Sequence, residues 1–264
     1  MTLIALVAGP LTITWDAVAL FLVTSAVTIC AGHSVGMHRL LIHRSFEAPK
    51  WVERFLVYLG TLVGMAGPFG MIYAHDIRDW AQRQPNCHDL HAHRRGFLHD
   101  AWWQMHCIVK LDHPPRFVIE EHIRQDRLFQ FLERTWMAQQ LPWALLFYAL
   151  GGWSWLVWGI AVRVSVSLTG HWLVGHFAHK SGHQSWSVDG VAVQGYNVPY
   201  AGLVTFGEAY HGNHHAFPGS ANLGLERGQI DLGWYFIKGM ERFGLARAIA
   251  TPATVGEREG LRRV

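Results

Sequence analysis

Residues 208–218 read Glu208-Ala209-Tyr210-His211-Gly212-Asn213-His214-His215-Ala216-Phe217-Pro218, three imidazoles in five residues with the spacing HxxHH. On a helix, His211 shares a face with His214 at i+3 and with His215 at i+4. Imidazoles converging on one point suit Zn, Cu, Fe or Ni. Such a cluster repels itself when charged and loses hydration when neutral and buried. A bound metal removes both difficulties. A solvated histidine-rich turn is the plain alternative, and further clusters along the chain argue against it.

Working back from this stretch, His171-Trp172-Leu173-Val174-Gly175-His176-Phe177-Ala178-His179 carries His176 and His179 at i, i+3, with His183 just beyond. Before it, residues 136–168 form a 33-residue apolar run. As one helix this run would be about 50 Å long, more than a bilayer needs. Gly151-Gly152 near its middle predicts a turn between two short passes. Arg163, inside the second pass, is expected to snorkel, pair or face the protein interior.

The first apolar region, residues 3–37, is uncharged apart from Asp16 and is divided by Pro10. The part from Trp15 to Val35 is long enough to span a bilayer. No basic leader or small-residue cleavage site marks it as a signal peptide, so it is expected to be retained. It runs into Gly36-Met37-His38-Arg39-Leu40-Leu41-Ile42-His43-Arg44, followed by Lys50 and Arg54. Basic residues just past a span mark the cytoplasmic side. His38 and His43, five apart, do not stack on a regular α-helix; they converge if the helix ends between them.

Residues 55–74 are apolar as well, yet a crossing there would put the histidines on either side of it on opposite faces of the membrane. Gly60, Gly64, Gly67, Pro68 and Gly70 fit a broken, non-spanning segment. Residues 75–135 are polar and hold His75, His88, His91, His93, His99, His106 and His113, too many for all to be ligands. The Trp102-Trp103 pair suits a membrane interface. The tail after Asp231 starts amphipathic and ends polar, and its end is expected to fray.

Composition agrees with this layout. Half of the 264 residues are hydrophobic and only 16% are charged, against about a quarter in soluble domains. Thirteen Trp and 18 His fit a membrane protein with a polar, histidine-rich portion. A net charge of +3 is too mild to argue for nucleic acid and suits an anionic membrane face. Cys30, Cys87 and Cys107 are odd in number and lack CxxC spacing, which speaks against a disulfide framework.

In these residues the chain resembles the membrane fatty acid desaturases, specifically the acyl-CoA (stearoyl-CoA type) branch. Residues 36–44 resemble the first histidine box. Trp172-Leu173-Val174 with His179 is similar to the WLV…H stretch of the last span. Residues 207–218 resemble the GExxHxxHHxFP third box. The resemblance implies an all-α integral membrane protein forming a single domain over 1–264. About four transmembrane helices in two hairpins, near 3–37 and 136–170, would carry a cytosolic histidine-rich helical cap made from 38–135 and 171–264. It further implies nine histidines around two irons above a buried acyl channel, with molecular oxygen as co-substrate.

The second box departs from the family's WARDHRAHH-like run. Aligned with Trp80-Ala81-Gln82-Arg83-Gln84-Pro85-Asn86-Cys87-His88, only His88 survives, and Gln84 and Cys87 stand at the other two histidine positions. His91 to Phe97 then match a run outside the metal set, and Gly175 replaces the family's water-holding Asn. The metal ligands implied are His38, His43, His88, His179, His211, His214 and His215. His91, His93, His176 or Cys87 could complete the site; otherwise the second metal is weak or absent. By resemblance, Trp172, Lys110 and Arg83 contact the substrate; a membrane-anchoring Trp and solvated charges are the plainer roles.

The implied activity is oxygen-dependent insertion of a double bond into an acyl chain carried by CoA, a carrier protein or a lipid. Electrons would come from a separate partner such as a ferredoxin, rubredoxin or cytochrome b5-type protein, because no redox segment is legible. Oxygen rebound would give a hydroxyl instead, so a lipid hydroxylase is the alternative on the same scaffold. A metal-poor, non-catalytic lipid-binding member is the alternative from another class.

Overall fold

The computed structural model describes residues 1–264 and is mostly helical. Helix α1 (Thr2–Leu11) ends near Pro10, and Thr14 then caps α2 (Trp15–Ala26), its hydroxyl accepting from Ala17 N. Helix α2 continues without a break as a wider, π-wound segment, Val27–Ile42, so that Trp15–Ile42 forms one apolar helix long enough to cross a membrane. Chain reversal at 43–49 leads into α3 (Lys50–Thr61) and, after a turn, α4 (Pro68–Arg83). The apolar run 55–74 is thus broken at 62–67, as its glycines and Pro68 imply.

The polar region contains α5 (Phe97–His106), α6 (Glu121–Arg124) and α7 (Arg127–Thr135). The second long apolar helix, Gln140–Ala178, comprises α8 (Gln140–Leu156), a short π-wound stretch Val157–Val162 and α9 (Arg163–Ala178). Its backbone leaves helical geometry at Gly151 and Gly152, the latter at φ 60°. Beyond it lie β1 (Trp186–Val188), α10 (His211–Ala216), α11 (Leu232–Arg242), α12 (Pro252–Val255) and β2 (Leu261–Arg263).

Two contacts set the architecture. Gly32 and Gly36 lie against α3 so closely that a Cβ at Gly36 would meet the Leu56 backbone at 2.6 Å, and one at Gly32 would meet Gly60 N at 2.4 Å. Small residues four apart let two helix backbones approach in this way. The main core follows from it, joining Val35, Leu40, Leu56 and Leu59 to Ile237 and Met240 of α11. A second core packs Met37, Leu41 and Val57 on Met71 and Ile72 of α4 and Phe129 and Leu132 of α7.

The second contact is made by Arg163, which is buried and faces inward. Its guanidinium donates to Leu62 O (2.6 Å), Gly159 O (2.7 Å) and Gln140 Oε1 (2.6 Å), while Gln140 Nε2 donates to the same Leu62 carbonyl (2.9 Å). The free carbonyl just past the end of α3 is thereby satisfied by the second long helix.

Leu3, Leu6, Leu11, Trp15, Leu141, Leu145 and Trp153 are exposed on α1, α2 and α8, the outward apolar surface a bilayer would cover. The C-terminal end, expected to fray, is instead tied down. β2 pairs antiparallel with β1, Trp186 opposite Arg263 and Val188 opposite Leu261, and Arg258 Nη1 donates to His215 O at 2.8 Å.

Candidate metal centre

The π winding decides the first group of ligands. With i→i+5 bonding, residues five apart stack on one face, and His43 N donates to His38 O at 3.0 Å. The two rings lie 4.8 Å apart, centroid to centroid. No helix end between them is needed, because the helix is wider than the α-helix assumed from the sequence.

His38 and His43 are joined by His75 from α4 and His214 from α10; one ligand atom from each lies within 4.8 Å of the others. His43 Nε2 and His75 Nε2 are 3.2 Å apart. A second group lies beside the first: His179, just past α9, with His211 and His215 of α10. His179 Nε2 is 3.1 Å from His211 Nε2 and 3.3 Å from His215 Nε2. The short helix α10 divides its imidazoles between the groups, as the HxxHH spacing allows. Adjacent nitrogens on an ion held at about 2.1 Å stand about 3.0–3.4 Å apart, the spacing of the pairs His43–His75, His179–His211 and His179–His215.

Charge and orientation agree. Burial holds His43 and His214 well below the usual imidazole pKa, with neighbouring imidazoles adding to the effect, and it does the same for His179 and His211. Burial pushes His215 down to about 4. Neutral rings are the form that binds a metal. Glu208 Oε2 stands 2.7 Å from His38 Nδ1, and Gly175 O stands 2.7 Å from His179 Nδ1. The Gly175 carbonyl fixes the proton on His179 Nδ1 and turns Nε2 towards the group, whereas Glu208 stands beside His38 Nδ1 without an aligned hydrogen bond. Glu208 is itself held by Ser34 Oγ (2.6 Å) and lies 3.7 Å from buried Arg39, which donates to Asp231 Oδ1 at 3.0 Å.

The second box needs correction. His88 is exposed; its Nδ1 accepts from Leu90 N (3.1 Å) and its ring stacks on Trp103, outside both groups. Gln84 donates to Trp80 O, and Cys87 sits beside the His88 carbonyl. The histidine this region contributes is His75 of α4, with Arg78 and Asp79 following it on the same helix. His75, Arg78, Asp79 and Gln82 recur at i, i+3, i+4 and i+7, a one-face helical stripe. That periodicity is the available signal, against the resemblance of Trp80-Ala81 to the start of the family's second box.

Asp79 Oδ2 lies 3.9 Å from His75 Nε2. Burial alone would raise its pKa, but His75 and Arg78 outweigh that and hold the carboxyl ionised. Arg78 Nη2 is 3.5 Å from Asp79 Oδ1, and its Nε is buried without a partner. Gln82 is almost fully buried; its amide donates to His91 O (2.8 Å) and contacts His179 Nε2 (3.1 Å).

The histidines weighed as replacements are engaged elsewhere. Asp100, with no exposed surface, accepts from Trp172 Nε1 at 2.9 Å, and the same oxygen lies 2.9 Å from His93 Nδ1 and 2.6 Å from His176 Nδ1. His93 lies parallel to His179 at 5.2 Å and occupies the space beside Gly175, where a Cβ would meet it at 3.3 Å. Trp172 is therefore buried as a donor to Asp100. Arg83 is largely exposed, 3.4 Å from Asp79, and Lys110 is exposed beyond α5.

His38, His75 and His211 also line one end of a cavity of about 340 Å³ whose walls include Ile29, Val63, Met71, Val166 and Val174. Neither Trp172, Arg83 nor Lys110 lines it. The cavity thus reaches both histidine groups, with Arg78 and Glu208 sharing its lining with these apolar side chains.

The sequence profile of the fatty acid desaturase family matches residues 13–226. The chain belongs to the fatty acid desaturase family. It is 35% identical over 240 residues to the sn-1 stearoyl-lipid 9-desaturase of Anabaena variabilis, covering 90% of this chain and 85% of that protein. It is 34% identical over 254 residues to the sn-1 stearoyl-lipid 9-desaturase of Synechocystis sp., covering 95% and 77%. An acyl-CoA 5-desaturase of Anemone leveillei is 33% identical over 252 residues, covering 95% and 77%. As a member of the family this chain is a membrane-associated oxidoreductase of fatty acyl chains, and its histidine groups suit iron.

Proposed function

We propose that this desaturase holds iron on His38, His43, His75 and His214, with a second, weaker position on His179, His211 and His215. The observation carrying the proposal is the set of seven imidazoles in two adjacent groups beside a cavity with apolar walls. Iron bound there would supply the oxygen chemistry that removes hydrogen from an unactivated methylene.

The chain's own residues supply the rest. Val63, Met71, Val166 and Val174 hold the acyl chain and exclude water from it. The Gly175 carbonyl fixes the tautomer of His179, and Glu208 sets a carboxylate beside His38. Asp100 holds His93 against His179 and ties α5 to α9 through Trp172, a supporting role in place of the substrate contact expected from the sequence. Arg78 and Asp79, following His75 on α4, add a fixed cation and a carboxylate between the groups.

The wider arrangement belongs to the same proposal. Trp15–Ile42 and Gln140–Ala178 enter the bilayer, α1 and the break at Gly151–Gly152 complete two hairpins, and the histidine groups face the cytoplasm. A separate ferredoxin, rubredoxin or cytochrome b5-type donor supplies electrons, and the acyl chain arrives on CoA, a carrier protein or a lipid. Expression in a host lacking desaturases should yield new double bonds in its acyl lipids, absent with His214→Ala. An unchanged lipid profile with an iron-loaded protein would count against desaturation, and new hydroxyl groups in place of double bonds would assign the chain to hydroxylation.

A further inference from the structure

The slot beneath the histidine groups is not apolar throughout. His33 and His171 lie edge to face against each other on its wall, ring centroids 5.2 Å apart and planes at 88°. Neither belongs to the two groups described above, and neither ring hydrogen-bonds to another protein group. Two separate elements place them. His33 precedes His38 by five residues in the π-wound segment, so the winding that stacks His38 on His43 also stacks His33 one turn below. His171 precedes His179 by eight residues, two turns or about 12 Å back on the same face of α9, with Gly175 between them.

A neutral imidazole carries one donor and one acceptor. Methylenes lying against both rings would strip their water and return no hydrogen bond, a cost for every polar group so treated. A carboxylate would accept from one nitrogen and leave the other's lone pair unanswered. A hydroxyl can donate to one ring and accept from the other, and Ser167 and Thr205 add two more hydroxyls to the same walls. We propose that the slot is built for an acyl chain bearing a hydroxyl at the depth of His33 and His171, a few methylenes from the carbon presented to the histidine groups. The proposal rests on the slot being the acyl site and narrows the substrate to hydroxylated acyl chains.

The test uses iron-loaded protein in lipid nanodiscs with a spin-labelled stearate in the slot, displaced by stearate or by each positional isomer of hydroxystearate. At least one isomer should displace the label at about tenfold lower concentration than stearate. The double change His33→Leu/His171→Leu should abolish that advantage without weakening stearate. His33→Gln/His171→Gln, which keeps a donor and an acceptor at each position, should retain part of it. The hydroxyl assignment falls, with the acyl slot left standing, if no isomer outcompetes stearate or if the advantage survives in the leucine variant. Loss of iron from the leucine variant would overturn it equally, by making the pair a metal site. Failure of stearate and every isomer to displace the label would overturn the acyl slot itself.

Discussion

The two histidine groups are built from the same short helix yet are unequally equipped. The first draws imidazoles from three elements, the π-wound segment, α4 and α10, and sets the Glu208 carboxylate 2.7 Å from His38 Nδ1. The second has three imidazoles, a glycine at the family's Asn position and the Gln82 amide beside His179. Helix α4 explains the difference. It keeps the histidine that serves the first group and follows it with Arg78 and Asp79. Under the proposed assignment, one metal position loses ligands while the other stays complete, with the shared element, α10, serving both.

The largest expected effect tests that inequality. His38→Ala and His214→Ala should each lower iron content and desaturation by at least about a hundredfold at limiting iron, because removing a ligand exceeds the effect of removing its hydrogen-bond partner. His179→Ala should spare the tighter iron. Metal analysis per purified chain decides, and undiminished iron in the first two variants would sink the four-histidine site.

Next in size is stoichiometry. Mild chelation should leave about one iron per chain, and Arg78→His with Asp79→His should move the count towards two. Gln84→His with Cys87→His should change nothing, since neither residue faces the groups. The reverse pattern would reinstate the frame first read from the sequence.

Glu208→Gln keeps the size but removes the carboxylate charge beside His38 Nδ1, and should reduce iron affinity about 10–100-fold while leaving the fold intact. Equal affinity in a metal-competition titration would remove Glu208 from the site.

The metal-free protein should lose thermal stability in acid. Folding lowers His215 from 6.5 to about 4 and shifts His179, His211 and His214 the same way. The unfolded chain then binds more protons, so stability is full above about pH 6.5 and falls as pH drops towards 4. Bound iron should flatten this dependence. A melting temperature indifferent to pH over that window would mean that the rings are not buried neutral. Smallest of all, His88→Ala and Lys110→Ala should leave iron content within error.

The sequence showed the apolar runs, the Gly151–Gly152 break and the HxxHH stretch, because each rests on local composition or on α-helical spacing. It misjudged what depends on geometry beyond the α-helix or on distant packing. His38 and His43 looked unstackable because an α-helical period was assumed where the chain is π-wound. His75 is hard to single out because Trp80-Ala81 resembles the start of the family's second box, while the stripe His75, Arg78, Asp79, Gln82 carries a single histidine. The role of Trp172 was unreadable because its partner, Asp100, lies 72 residues away. The tail's strand was missed because three residues carry no period.

Arg163 has a consequence for how the two halves of the molecule are joined. Its guanidinium answers a carbonyl 101 residues earlier in the chain. The second long helix thus carries a buried charge that ties it to the end of α3, which is itself packed on the first long helix. Gly159 O and Gln140 Oε1 answer the guanidinium from its own helix, so a chain whose α3 is misplaced loses one of three acceptors and leaves the Leu62 carbonyl, not the cation, without a partner.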